Sequence, residues 1–115
     1  MTGAQVAAGG SADQRSANAA RGEASLRVAG RDRLLRPTFA ALVAAEEELG
    51  PLFALVERAG SGGLRLSELA ALFWHCATGR EAMTRADFSE AVAAAGLARA
   101  APALRVLIGQ ILQGR

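Results

Sequence analysis

The chain has 115 residues, 51% of them hydrophobic with alanine prominent, and a formal charge of +2. That length suits one domain, burying roughly 65% of the surface its unfolded chain exposes. The charge is too small to argue for nucleic acid, and the one cysteine, Cys76, excludes an internal disulfide and fits a reducing compartment. Residues 1–20 are small and polar with no hydrophobic period. They predict a disordered tail that orders only on a partner, and they lack the basic start and apolar run of a secretory signal. Residues 21–115 form the expected domain.

Residues 23–36 read as a β-hairpin. Ala24, Leu26 and Val28 alternate with Ser25 and Arg27, Ala29–Asp32 supplies the turn with Gly30 at positive φ, and Arg33–Arg36 returns. A hairpin alone is marginal in water, so this one must pack on helices or pair with another molecule. Helices are expected over residues 38–49, 51–59, 67–78, 84–95 and 102–113. Thr38 caps the first, whose apolar face is Phe39, Leu42, Val43 and Leu49. Leu52, Phe53, Leu55 and Val56 form the second, after Gly50-Pro51. Ser67 caps the third, which carries Leu69, Leu72, Phe73 and Cys76 with Trp74 to one side, and Gly79 ends it. Thr84 caps the fourth, with Asp87 at its third position and a Met83–Phe88 staple. Pro102 starts the fifth, striped by Leu104, Leu107, Ile108, Ile111 and Leu112. The fold class is therefore α+β, mainly α: an N-terminal hairpin and four or five short helices around one core. Helices this short are unstable alone and must share that core. No apolar run approaches ~18 residues, so no membrane span is expected.

The residues do not assemble a catalytic or metal site. His75 and Cys76 are adjacent in a helix, so their side chains diverge by roughly 100° and cannot chelate one ion. Cys76 reads as a buried apolar residue and His75 as a surface or groove residue. The loop Ser61–Arg65 has no lysine and no preceding strand, so it is not a phosphate loop. No cofactor is expected. Charge is unevenly placed instead. All thirteen basic residues are arginine; six of them, between Arg15 and Arg36, face only Glu23 and Asp32, and Glu46–Glu48 follow as an acidic run. This polarity suits partners of either sign or head-to-tail packing of copies. The arginine ribbon reads either as a binding edge for carboxylates or as an edge strand protected by charge. Arg27, Arg33, Arg36, Glu46, Glu47 and Trp74 are the candidate partner contacts. A helix-turn-helix reading of the fourth helix is disfavoured, because Asp87 and Glu90 would repel phosphate.

Over GEASLRVAGRDRLLRPTFAALVAAEEELG the sequence resembles the small tail proteins of gene transfer agents and related tailed phages. The matching residues are Gly22, Glu23, Leu26, Gly30, Leu35, Arg36, Pro37, Thr38, Phe39, Ala41, Leu42, Glu46, Leu49 and Gly50, and the later LRLSELAALFWHC also fits. The resemblance covers roughly residues 20–113. It implies a non-enzymatic role in tail morphogenesis, described for the family either as a tail tube protein or as a tail assembly chaperone that keeps the tape-measure protein soluble. The implied partners are the tape-measure and other tail proteins, to which the uneven charge adds further copies of the chain as a homo-oligomer. The implied location is the cytoplasm during assembly, or the virion-like particle. The chaperone reading is favoured because so few strands are expected. A structural tail component is the alternative, and a DNA-binding regulator the remote one.

Overall fold

The computed structural model of the chain describes residues 23–28 and 30–113. The expected tail over residues 1–20 lies outside the described residues, as does Gly22. Strands β1 (Ala24–Val28) and β2 (Arg31–Leu35) form an antiparallel pair with Ala24 opposite Leu35 and Val28 opposite Arg31. The turn is tighter than the sequence predicts. Arg31 and Asp32 already belong to β2, so only residues 29 and 30 connect the strands. Gly30 takes the left-handed conformation (φ 77°), which a two-residue hairpin loop demands and which costs glycine least. The alternation in β1 holds: Ala24, Leu26 and Val28 are buried, and Ser25 and Arg27 are exposed.

Five α-helices follow among the described residues: α1 Phe39–Leu49, α2 Leu52–Gly60, α3 Leu66–Cys76, α4 Arg85–Ala95 and α5 Leu97–Gln113. A single 3-10 turn, Arg80–Ala82, joins α3 to α4. The fold is mainly α with an N-terminal hairpin, as the sequence implies. The buried face of β1 rests on α4 and α5, while α3 is packed between α1 and α4. Phe73, Phe88, Leu26, Leu35, Leu72 and Leu107 are the largest fully buried side chains, so one core joins the hairpin to the helices. No single helix among the described residues is long and apolar enough to cross a membrane.

Caps explain where the helices start. Thr38 accepts the Ala41 N–H (3.1 Å) and Thr84 accepts the Asp87 N–H (3.1 Å), both as expected. Helix α3 starts one residue early because the Glu68 carboxylate accepts the Arg65 N–H (2.9 Å). That places the cap at Arg65 and leaves Ser67 exposed inside the first turn. The end of α3 also differs from expectation. The chain leaves the helix at Cys76, before Gly79, because its backbone is recruited by the hairpin. Arg36 donates to the Cys76 carbonyl (2.8 Å), Thr78 donates to the Leu34 carbonyl (3.0 Å), and Ala77 bridges Leu35. This seam gives the outer edge of β2 partners for its polar backbone groups.

Two further expectations are corrected. Helix α5 begins at Leu97, so Pro102 lies inside it. Arg99 and Ala100 both donate to the Gly96 carbonyl, so the first turn forms directly after Gly96. Proline then removes only the bond to Ala98, which is exposed to water. Phe39 and Phe53 do not join the core; they are 85% and 70% exposed. The inward stripe of α1 is Ala41, Leu42, Ala45 and Leu49, and Phe39 falls roughly 100° from its centre. Phe53 stands similarly off the Leu52, Leu55, Val56 stripe of α2.

Candidate partner-binding surfaces

The hairpin arginines are largely occupied within the chain. Arg27 lies directly across the ladder from Asp32 and pairs with it at 3.2 Å, both side chains exposed. Arg36 Nε meets Glu23 at 3.2 Å. Arg33 reaches from β2 to the Gly79 carbonyl at 3.5 Å, and its Nε is buried with no hydrogen-bond partner. Arg33 thus ties the charged side of the ribbon to the body of the domain, while the Arg27 and Arg36 pairs close within the ribbon and its base.

The three consecutive glutamates have three fates. Glu46 Oε2 accepts the Leu52 N–H at 3.1 Å and so caps α2 across the Gly50-Pro51 corner. Glu48 accepts from His75 Nε2 at 2.8 Å and is also paired with Arg85, tying α1 to α3 and α4. The hydrogen bond from Arg85, then that from His75, holds the Glu48 carboxyl below its ordinary value of 4.5. Glu47 is exposed and has neither role. Nothing in the sequence singled out Glu48 and His75 as partners, since they lie 27 positions apart.

His75 therefore has a carboxylate beside it, but not in a buried catalytic arrangement. Glu48 is 38% exposed and shared with a guanidinium. Cys76 points the other way into the core, where burial pushes its thiol up to about 12. Among the described residues no group of three histidine, cysteine or acidic side chains is placed to hold a metal.

Trp74 is half-buried and packs on Phe88, ring centroids 5.5 Å apart and tilted by 60°. The Arg80 guanidinium lies 5.2 Å from the centre of the Trp74 ring. Arg36 and Arg80 line a pocket of about 270 Å³ between α1 and the end of α3, together with Ala40, Ala41, Ala44, His75 and Ala77. At the other end of α3, an apolar groove of about 200 Å³ lies between the start of α3 and the start of α5. It is lined by Leu64, Leu66, Leu69, Leu97 and Leu104, with Arg65 at its rim. Leu66 is 45% and Leu97 63% exposed.

Residues 21–114 match the family described as "Phage tail tube protein, GTA-gp10". The chain belongs to this family. The match includes the ribbon-to-helix junction at Leu35–Phe39 and the later helices, so the resemblance read from the sequence is borne out. The role lies in the structure or morphogenesis of a phage or gene-transfer-agent tail, among other tail proteins. No curated protein and no solved structure matches the chain.

Proposed function

We propose that this family member acts without catalysis, as a tail assembly chaperone that covers an apolar helix of the tape-measure protein until tube subunits surround it. The observation that carries this reading is the leucine groove. Two large side chains, Leu66 and Leu97, stand out from the surface at its mouth, although water would favour their burial. A groove between two helices accepts the apolar face of a third, with side chains at i, i+3 and i+4 as anchors. Arg65 at the rim suits the acidic flank of an amphipathic segment.

The tube-subunit reading is supported by the family's description as a tail tube protein. Against it stands the small sheet, two strands and a one-residue bridge among the described residues, which is little from which to build a ring wall. Two measurements separate the readings. Co-expression with the tape-measure protein should raise the soluble yield of that protein and co-purify with it, and Leu97→Asp should abolish both effects. Proteomics of purified particles should find the chain absent. Many copies per particle would establish the tube subunit in its place.

A further inference from the structure

Helix α5 keeps its small side chains inside and its large ones at the edge. Its buried residues are Ala100, Ala103 and Leu107, so alanine makes up most of what it gives to the core. The larger apolar side chains stand to one side of that face. Leu97, Ala101, Leu104, Ile108 and Leu112 recur every three or four residues, which stacks them in a single stripe. Leu97 and Leu112, at its two ends, are 63% and 58% exposed, and the three residues between them are half-buried. Single exposed leucines are ordinary on a protein surface, but an aligned row of them marks a contact.

This stripe carries the leucine groove beyond the start of α5. Ala59, Leu64 and Leu104 line both the groove and a narrow apolar cleft, to which Ile108 and Ile111 contribute from α5 and Val56 from α2. From Leu97 to Leu112 the stripe is about 22 Å long, four turns of helix, and the groove takes up only the two turns that end at Leu104. The charge along it has one sign. Helix α5 holds no acidic residue. Arg105, one turn from Ala101 and two from Leu112, is exposed on the solvent border of the stripe and has no ion-pair partner among the described residues. Arg65 stands at the rim of the groove. Of the nearby carboxylates, Glu68 is taken up by Arg58 at 2.7 Å and by the Arg65 N–H, and Glu57 lies roughly 160° around α2 from Ala59.

We propose that the segment held by the groove is an acidic amphipathic helix of at least about 15 residues, lying along α5 from Leu97 to Leu112 with its carboxylates on Arg65 and Arg105. This rests on the reading of the groove as a helix-docking site and adds the length and the charge of the occupant. The apolar stripe supplies the area, and the two arginines select acidic flanks over basic ones. A segment of two turns fills the groove and leaves Ile108 and Leu112 uncovered.

The test is fluorescence anisotropy of labelled synthetic peptides titrated with the full chain. Two peptides of roughly 18 residues share one leucine stripe at helical spacing, flanked by glutamates in one and by lysines in the other. The acidic peptide should bind at least about tenfold more tightly than the basic one, and a half-length acidic peptide at least about tenfold more weakly than the long one. Leu97→Asp and Leu112→Asp, each checked for native helicity by circular dichroism, should each weaken the acidic peptide at least about tenfold, and Arg105→Glu should remove its advantage over the basic one. Should either aspartate variant lose helicity, Leu97→Ala or Leu112→Ala takes its place and must also weaken binding. Equal affinity for the acidic and basic peptides overturns the proposal. So does a Leu112→Asp variant that binds like wild type; if Leu97→Asp still abolishes binding, the groove stands without its extension. A chain that dimerises alone and is made monomeric by Leu112→Asp has a second copy on the stripe, which also overturns the proposal. Preference for the acidic peptide in a chain that leaves the tape-measure protein insoluble would keep this inference and sink the chaperone reading. A tape-measure protein solubilised through Leu97 by a chain that ignores every peptide would do the reverse.

Discussion

The arginine ribbon and the leucine groove invite opposite readings from sequence and from structure. The ribbon looks like the adhesive part of the chain, yet Arg27, Arg33 and Arg36 each reach a group of their own molecule, and the Leu34–Thr78 seam occupies the outer edge of β2. The groove residues read as ordinary helix leucines, yet Leu66 and Leu97 are left in water. A charge run signals a binding surface only where its charges lack partners nearby, and that depends on residues dozens of positions away.

This contrast can be broken at the seam first. Cys76, whose carbonyl anchors Arg36, should react with a thiol reagent far more slowly than an exposed cysteine, because it is buried in the core and burial pushes its thiol up to about 12. Rapid labelling in native buffer would mean that the seam opens and the ribbon is free to bind. Leu35→Ala, at the fully buried end of β2, should cost about 2–5 kcal/mol in denaturant unfolding. A small loss there would show that the arginines, and not the apolar face, hold the hairpin down.

Glu48→Gln probes the acidic run. Because the folded carboxyl titrates below 4.5, Glu48 contributes stability that is fully present above that value and is lost as pH falls through its folded value. The variant should lose up to about 1 kcal/mol at neutral pH, limited by solvent screening, and should unfold less steeply in acid. Glu47→Gln should change neither quantity. The smallest effect should be that of Arg27→Ala, within about 0.5 kcal/mol of wild type, because the Arg27–Asp32 pair is exposed.

The elements themselves were legible from local chemistry. Period-two alternation marked β1, Gly30 marked the turn, and Thr38 and Thr84 marked two helix starts, since each signal acts within a few residues. The end of α3 differs from expectation because distant backbone intervenes. Nothing near Cys76 announces that Ala77 and Thr78 will be taken up by β2 and so end α3. Pro102 reads as a helix start because proline favours that position, but here Gly96 starts the helix first. Helical spacing groups Phe39 with Leu42, Val43 and Leu49, and hydrophobicity groups Phe53 with Leu52, Leu55 and Val56, but the rotation of each helix is fixed by other neighbours, Ala41 and Ala45 in one case and Leu55 in the other. Of the surfaces, the charges were visible and their pairing was not: Glu48 with His75 and Arg85, and Arg80 over Trp74, all require the fold.

Hydrogen–deuterium exchange of the chain alone and bound to the tape-measure protein tests most directly where the chain engages its partner. Protection should rise over residues 64–69 and 97–104, on both walls of the groove, while residues 25–33 of the ribbon exchange as in the free chain. Protection confined to the ribbon, with the groove walls unchanged, would contradict the account.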